Sequence, residues 1–391
     1  MTSRQAAARV PWRERVPQLP AAVWRWVGAG LGVACVVRAT MIYWPKWDAP
    51  VAAYDLDIFL RGASAVLDGA SPYVYGADQT YAYPPLLAFL VAPLEPLSAG
   101  AATTVWTLVL LAAIAGALLL LGVRDWRCLA LTLVYPVTRS AVDLGTIGPL
   151  LLLGVAAAWR WRDRVLVPAA ALGAAVALKL FLWPLAVWLA VTGRIRAAAA
   201  AAGFAVALVF VPWAALGFTG LDAYPGLLRR LSDEEGWASY SVYALGLRVH
   251  LPEAAAIALS VAVVAGLLAA AAWAARDLRR TLLERDSASL TLALAAALAS
   301  TPIVWSHYFL LLIVPLALAR PRLSALWFLP FAYYPLGGAA WPGADARKMA
   351  LALAVTLLLL GAGVLRRTAG PGTPAARGAS LPVPTGARDV R

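Results

Sequence analysis

Long apolar runs alternate with short polar segments along most of the chain. About twelve runs have the apolar character of helices in a bilayer, although several are shorter than the roughly 20 residues of a full crossing. The runs cover residues 21–43, 99–122, 128–138, 146–159, 165–178, 181–192, 197–215, 254–275, 287–302, 307–319, 323–336 and 347–365. We expect the short runs to be broken, tilted or buried helices, because their backbone groups need protein neighbours inside lipid. The pattern predicts an all-α polytopic membrane protein with about twelve transmembrane helices.

Composition supports lipid as the main solvent. The chain has 391 residues, of which 62% are hydrophobic and 14% are charged. Soluble domains carry about a quarter charged residues, so this chain cannot cover a surface that faces water on all sides. Its net charge of +13 would suggest nucleic acid in a soluble protein. Here we expect membrane lipid and no nucleic acid as partner.

The arginines predict the orientation of the chain, because cytoplasmic loops of membrane proteins retain Lys and Arg. If every run crosses, all the basic clusters lie on one face. These clusters lie at residues 4–25, 124–127, 160–164, 194–196, 276–285, 320–322 and from 366 onward. This threading predicts a multi-pass plasma-membrane protein with both termini in the cytoplasm. Two long loops, 44–98 and 216–253, then lie on the extracytoplasmic side.

The same threading divides the chain into three parts. Residues 1–20 are predicted to be a cytoplasmic N-terminal segment, and residues 21–366 an integral membrane domain. Residues 367–391 are rich in Gly, Pro and Arg without apolar periodicity, so we expect a disordered cytoplasmic tail.

The first long loop contains a predicted amphipathic helix from Tyr54 to Gly69. Asp57 and Arg61 are spaced as an i,i+4 ion pair, so Asp57 is readily explained as a surface partner. Asp55 lies at the margin of the apolar face and therefore points toward protein or membrane. An N-cap at the start of the helix is the structural alternative for Asp55. The loop thus offers one carboxylate with a candidate chemical role.

Tyrosines follow this helix and flank a Pro-Pro pair. Tyr73 and Tyr83 are placed to stack on a sugar or to donate hydrogen bonds, and both are also ordinary anchors at a membrane interface. The two readings stay open on the sequence alone.

A lysine interrupts an apolar run at position 179. A lone cation between two half-spans is costly, so a functional role for Lys179 is the default, with an anionic phosphate as a natural partner. Snorkelling to the lipid headgroups is the alternative. His307 lies beside Trp305 at the same predicted face, where it can donate to a phosphate oxygen or simply be tolerated at an interface.

The second long loop adds polar residues, among them Arg248 and Ser241. Arginine can hold phosphate with two parallel hydrogen bonds, and a solvated charge run is the alternative. Two histidines are too few for a histidine metal site, and the two cysteines show neither metal spacing nor a disulfide framework. No P-loop or GxGxxG pattern occurs. We therefore predict no metal and no cofactor.

Taken in order, four stretches resemble the polyprenyl-phosphate-dependent glycosyltransferases of glycosyltransferase family 87, in the GT-C class. That family has Asp-Leu-x-Val-Tyr, Gly-x-x-x-Tyr with Tyr-Pro-Pro, a Lys-containing break, and Ser-Pro-x-x-Trp-x-His. The matching stretches are Asp55 to Phe59, Gly69 to Tyr73 with Tyr83-Pro84-Pro85, Ala177 to Leu180 with Pro184, and Thr301-Pro302 with Trp305-Ser306-His307. The resemblance covers nearly all of the chain except the tail.

The resemblance implies an inverting hexosyltransferase of the alpha-mannosyltransferase kind. It implies a polyprenyl-phosphate-mannose donor and a glycolipid or glycan acceptor at the extracytoplasmic face. Asp55 would be the catalytic base, and the other residues would hold the donor or contact substrate. The implied donor-phosphate or positioning residues are Lys179, His307 and Arg248, and the implied substrate contacts are Asp57, Tyr83, Tyr73, Trp305 and Ser241.

Three stretches depart from the family pattern. Gly-Gln-x-Asn reads Gly145-Thr146-Ile147-Gly148, Asn-Gln-Ser reads Ser239-Tyr240-Ser241, and a paired histidine reads His307-Tyr308. An arabinofuranosyltransferase of the same class is therefore an alternative. A transporter or flippase is the alternative from another class, although no internal repeat is visible and the polar groups collect at one face.

Overall fold

The computed structural model describes residues 21–45, 47–73, 80–336 and 345–365, and the regular structure within these ranges is helical. The first α-helices are α1 (Ala21–Ile42), α2 (Tyr54–Leu67), α3 (Leu86–Val91), α4 (Ala99–Leu120), α5 (Trp126–Val134), α6 (Pro136–Leu144), α7 (Gly148–Arg160) and α8 (Leu166–Leu178). They are followed by α9 (Pro184–Val191), α10 (Ile195–Ala215), α11 (Tyr224–Glu235), α12 (Val242–Arg248), α13 (Glu253–Arg276), α14 (Leu282–Ala299), α15 (Ile313–Ala319) and α16 (Ala346–Val364). Short 3₁₀ helices cover Ala92–Leu94, Leu180–Leu182, Gly236–Ala238, Ser306–Leu312 and Ala325–Leu336. The all-α prediction is confirmed for these ranges, whereas the predicted segments 1–20 and 367–391 lie outside the described residues.

The apolar helices mark the chain as a membrane protein. Within the described ranges, α4, α10, α13 and α16 are long and apolar enough to cross a bilayer. The pair α6 and α7, bent by 116° at a short break, would make a fifth span. Shorter apolar helical segments are found at Leu166–Leu178, Leu180–Val191 and Ser306–Ala319, as expected for segments that depend on protein neighbours.

Prolines and a glycine set the bounds that the apolar pattern missed. The predicted segment 128–138 is wrong in its extent, because α5 ends at Val134 and a new helix begins at Pro136. Proline pushes the preceding residue toward an extended conformation, and Tyr135 has φ −60° and ψ 143°. Helix α6 then ends at Leu144 and is followed by Gly145, whose φ of 77° is left-handed.

Helices of the interior and of the periphery differ in burial. α14 and α15 are almost entirely buried, whereas few residues of α10 and α13 are buried, as suits helices that face lipid. α8 packs between α7 and α10. A Cβ at Gly173 would lie 2.5 Å from the Cβ of Phe204, so α8 and α10 approach closely through a small residue.

Charged loops meet at one end of this bundle. The Asp286 carboxylate, near the start of α14, accepts hydrogen bonds from Arg162 at 2.8 Å and from Arg194 at 2.7 Å. Arg194 also pairs with Asp163 at 2.7 Å. Trp188 of α9 donates its indole N–H to the Asp286 carbonyl at 3.2 Å. We call Arg162, Asp163, Arg194 and Asp286 the ion-pair cluster; it joins two of the predicted basic loops to the start of α14.

Candidate active site

Asp55 occupies the first turn of α2 and is half-buried. The N-cap residue is Ala53, which makes no side-chain capping bond, so Asp55 is not the cap of this helix. Phe59, one turn later on the same side, is fully buried. The position of Asp55 at the margin of the apolar face agrees with the prediction from the sequence.

The start of α2 is fixed by packing against α4 and the turn between α6 and α7. The Ala53 N–H donates to the Thr103 hydroxyl at 3.2 Å. A Cβ at Gly145 would lie 3.2 Å from the Cβ of Ala53 and 3.1 Å from that of Leu56, so this turn rests directly on the helix start. Trp106 donates its indole N–H to the Gly145 carbonyl at 2.8 Å. These contacts hold the Asp55 backbone in place.

Lys179 lies at the break that follows α8. Its backbone is extended, with φ −152° and ψ 102°, and α9 starts only at Pro184. The Lys179 Nζ lies 4.0 Å from the ring centroid of Tyr308 and 5.3 Å from that of Tyr83. A cation this close to two aromatic rings is attracted by their faces. The break therefore places the ammonium in an aromatic environment.

Asp55 and Lys179 share one electrostatic environment. Burial raises the pKa of Asp55 to about 6, and the positive charge of Lys179 opposes that rise. Among the described residues, no direct ion pair joins Asp55 to Lys179 or to another cation. A carboxyl with a pKa near 6 can accept a proton close to neutral pH.

Tyr83 forms one wall of this site. Its ring meets the Phe59 ring edge-on at 5.1 Å between centroids. Tyr73 donates its hydroxyl hydrogen to the Tyr83 carbonyl at 2.9 Å and stacks on Trp213 at 5.9 Å. Tyr73 is only 7% exposed, so in the structure it supports Tyr83. Tyr81 completes this support with a bond of 2.9 Å to the Pro84 carbonyl.

His307 is the second residue of the 3₁₀ helix Ser306–Leu312 and is only 6% exposed. Its imidazole makes no hydrogen bond with the described part of the chain, and it lies within electrostatic range of Lys179. The His307 and Tyr308 ring centroids are 5.0 Å apart. Trp305 precedes this helix, and its carbonyl accepts the Tyr308 N–H at 2.9 Å. Asp55, Lys179, Tyr83 and His307 are thus gathered in one region.

Arg248 and Asp57 have partners elsewhere. Arg248 donates from Nη2 to the Trp237 carbonyl at 2.9 Å, and none of the contacts seen among the described residues joins it to Asp55, Lys179 or His307. Asp57 pairs with Arg61 at 2.9 Å, with both side chains well exposed, which confirms the ion pair expected from the i,i+4 spacing. Their roles toward substrate stay predictions.

Ser241 links the second long loop to the segment before His307. Its hydroxyl donates to the Pro302 carbonyl at 2.6 Å and accepts the Ala244 N–H at 3.0 Å, which caps α12. The same carbonyl accepts from Ser239 at 3.0 Å. The Ser241 hydroxyl therefore makes hydrogen bonds within the protein. Its contact with substrate stays a prediction.

Sequence reasoning missed two residues of this region. Tyr308 was noticed only as a departure from a paired histidine, although its ring lies nearest to Lys179. Glu235, the last residue of α11, was not singled out from the sequence. Burial raises the pKa of Glu235, and the charges of Glu234 and Asp55 add to that rise. Two signals in the sequence could have pointed to them: Tyr308 directly follows His307, and Glu235 lies in the second long loop predicted to be extracytoplasmic.

The arrangement combines a proton acceptor with anion-binding groups. Asp55 can take a proton, while the Lys179 ammonium and the His307 imidazole have no hydrogen-bonding partner among the described residues and can meet a negatively charged group. No group of three or more potential metal ligands occurs in the parts of the chain that the structure describes.

Comparison with known proteins identifies the family. The model of glycosyltransferase family 87 matches residues 81–302, which is more than half of the chain. Tyr83 and Lys179 lie inside that range, and Asp55 and His307 lie outside it. No curated protein and no solved structure matches the chain. With its family model covering most of the membrane bundle, the chain belongs to glycosyltransferase family 87 and is a glycosyltransferase.

Proposed function

We propose that the chain is an inverting glycosyltransferase that moves a sugar, with mannose as the first candidate, from polyprenyl phosphate to a lipid-linked or glycan acceptor. Asp55 takes the proton of an acceptor hydroxyl, and the oxygen attacks the anomeric carbon. The bond from that carbon to the phosphate oxygen breaks, and its electron pair leaves with the phosphate. A single displacement inverts the anomeric centre. The observation that carries the proposal is a carboxylate and an ammonium in one region without an ion pair between them.

The leaving phosphate needs positive charge nearby. Lys179 and His307 are the groups that would stabilise the negative charge as it develops, because preplaced donors at a site that excludes water act strongly. Arg248 remains a further candidate for holding the donor phosphate. General-base help by Asp55 contributes about a hundred- to ten-thousand-fold.

We propose that the chain is threaded through the plasma membrane in about twelve crossings, with both termini in the cytoplasm and the site on the extracytoplasmic side. Two contacts support this orientation. The ion-pair cluster, which contains residues of two loops predicted to be cytoplasmic, lies at the start of α14. At the other end of α14, Ser300 donates to the carbonyl of Phe181 at 3.3 Å, and Phe181 lies two residues after Lys179. Asp68→Cys and Arg196→Cys test this threading, since both native cysteines are buried. An impermeant maleimide should label only the former in intact cells; labelling of only the latter would reverse the orientation.

The direct test of the chemistry is sugar transfer in proteoliposomes with polyprenyl-phosphate-mannose and a glycolipid acceptor. Asp55→Asn should lose at least about a hundredfold in turnover. Asp57→Asn is the matched control and should lose much less, because its partner is the exposed Arg61. Near-wild-type turnover of Asp55→Asn would remove Asp55 from the mechanism.

The sugar of the donor is identified by comparing two donors in the same vesicles. Polyprenyl-phosphate-mannose should support transfer, and polyprenyl-phosphate-arabinofuranose should support little. The reverse preference would replace mannose by arabinofuranose, and uptake of substrate without a new glycosidic bond would favour a transporter.

A further inference from the structure

Two tyrosine rings flank the Lys179 ammonium. Nζ lies 4.0 Å from the Tyr308 ring centroid and 5.3 Å from the Tyr83 centroid. Each ring is backed by another: Phe181 stacks on Tyr308 at 5.4 Å with 12° between planes, and Phe59 meets Tyr83 edge-on at 5.1 Å. Both tyrosine rings are thus held by packing, and neither can turn away without disturbing a second aromatic side chain.

An ion pair is the arrangement that would compete with these ring contacts. Asp55 is close enough for the Lys179 charge to act on its carboxyl, yet no ion pair forms between them in the described structure. An opposite charge and a ring face both attract an ammonium where water is excluded, so the two contacts compete for Lys179. The two rings together give the Lys179 ammonium favourable contacts on two sides, even without an ion pair.

We propose that Tyr308 and Tyr83 are positioning residues that hold the Lys179 ammonium apart from the Asp55 carboxylate. The carboxylate thereby stays available as a base, and the ammonium stays available for an anionic group of the donor. This inference rests on the proposed function for the roles of Asp55 and Lys179. The separation itself is a property of the protein without substrate and can be measured without transfer.

The groups around Asp55 make Lys179 the decisive cation. Glu235 at the end of α11 and Tyr54 on α2 also face the Asp55 charge, and Tyr308 and Tyr83 do so from the other elements. His307 faces Lys179. Within the described ranges, Lys179 is the cation whose charge acts on Asp55. A variant that releases Lys179 from its rings should therefore change the protonation of Asp55 in one direction only.

The experiment uses a hydrophobic carbodiimide, which adds to protonated carboxyl groups, on the full chain in proteoliposomes. Mass spectrometry of the Asp55 peptide gives labelling as a function of pH. In the wild type the midpoint should lie near 6. Tyr308→Leu removes the nearer ring, so Lys179 pairs with Asp55 and the midpoint falls by about one unit or more. At pH 6 the extent of labelling should then fall roughly fivefold.

Tyr308→Phe is the matched control, since it keeps the ring face and loses only the hydroxyl; its midpoint should equal that of the wild type. In the Lys179→Met background, Tyr308→Leu should have no effect, because the cation that moves is gone. An unchanged midpoint in Tyr308→Leu, or a shift that persists with Lys179→Met, would overturn the proposal. Tyr83→Leu, with Tyr83→Phe as its control, provides the same test should Tyr308→Leu fail to fold.

The labelling result is independent of the sugar assay. A shift in Tyr308→Leu together with full transfer by Asp55→Asn would support the aromatic positioning and reject the proposed chemistry. No shift together with loss of transfer in Asp55→Asn would reject the positioning and leave the proposed chemistry in place.

Discussion

Two groups of charges lie toward opposite ends of α8 and α14, and they are built in opposite ways. In the ion-pair cluster, Asp286 binds two arginines, and its side chain is only 11% exposed. Near the other end, roughly 20 Å along α14, Asp55 and Lys179 lie in one region without an ion pair among the described residues. The charges of the first group form ion pairs with one another, whereas Asp55 and Lys179 do not.

This difference in pairing distinguishes charged residues that stabilise the fold from charged residues that are available to a substrate. Removing one partner of a buried pair is costly because the other charge stays behind, so the ion-pair cluster ties α9 and α14 to the loops between α7 and α10. Charges without partners reduce stability, and proteins keep them mainly where a substrate will meet them. We therefore expect substitutions in the two groups to affect different measurements.

After Asp55→Asn, Lys179→Met should give the largest effect on activity. It removes the cation nearest to the proposed leaving phosphate, and loss of one preplaced donor of this kind costs about a hundred- to a thousandfold in turnover. The melting temperature in detergent should stay the same or rise, because the substitution also removes a charge that has no ion-pair partner among the described residues.

Lys179→Arg serves as its control. It keeps the charge but changes the geometry, and should recover part of the activity. A Lys179→Met enzyme that unfolds more easily and turns over normally when folded would make Lys179 a structural residue.

Asp286→Asn should show the reverse behaviour. We expect a loss of about 3 kcal/mol in the free energy of unfolding, because Arg162 and Arg194 would lose their shared carboxylate. Asp57→Asn, from an exposed pair, should cost no more than about 1 kcal/mol. Thermal unfolding in detergent provides the measurement, and equal losses in the two variants would contradict the assigned role of the ion-pair cluster.

The pH dependence of transfer should follow Asp55. Since burial raises its pKa to about 6 and a base must be deprotonated, kcat/KM should be constant above about pH 7 and fall about tenfold per unit below 6. The residual rate of Asp55→Asn should lack this acid limb. A wild-type rate that rises as the pH falls through 6 would mean that a protonated group is needed instead.

Tyr73→Phe should have the smallest effect. It removes the hydrogen bond of 2.9 Å to the Tyr83 carbonyl but keeps the ring that stacks on Trp213. One hydrogen bond contributes about 1 kcal/mol, so we expect a loss of a few-fold in turnover with little change in fold. A hundredfold loss would indicate that the Tyr73 hydroxyl itself contacts substrate.

Much of the fold could be predicted because apolar runs and their Pro and Gly borders are local signals. Every predicted run corresponds to helical structure, including the helix that carries Asp55. The bounds near Pro136 were missed because the apolar pattern continues across a proline that starts a new helix. The number of membrane crossings stays a prediction, since short helices reveal their path only through their neighbours.

The site could be predicted only in part. Asp55, Lys179 and His307 stand out because each is a polar group in an apolar context. The rings around Lys179 did not, because Tyr83 and Tyr308 come from segments more than 90 residues away, and such contacts depend on tertiary packing. Ser241 has a hydroxyl that could bind a ligand, yet this hydroxyl makes hydrogen bonds to Pro302 and Ala244 that the sequence does not reveal.

The roles of Asp55 and Asp286 are separated by single-turnover transfer and thermal unfolding of Asp55→Asn and Asp286→Asn, each normalised to folded protein in the same membranes. We expect Asp55→Asn to fold as well as the wild type and to transfer sugar at least about a hundredfold more slowly. We expect Asp286→Asn to unfold more easily and to transfer at a nearly normal rate per folded molecule. Normal transfer by folded Asp55→Asn would show that Asp55 is not the base.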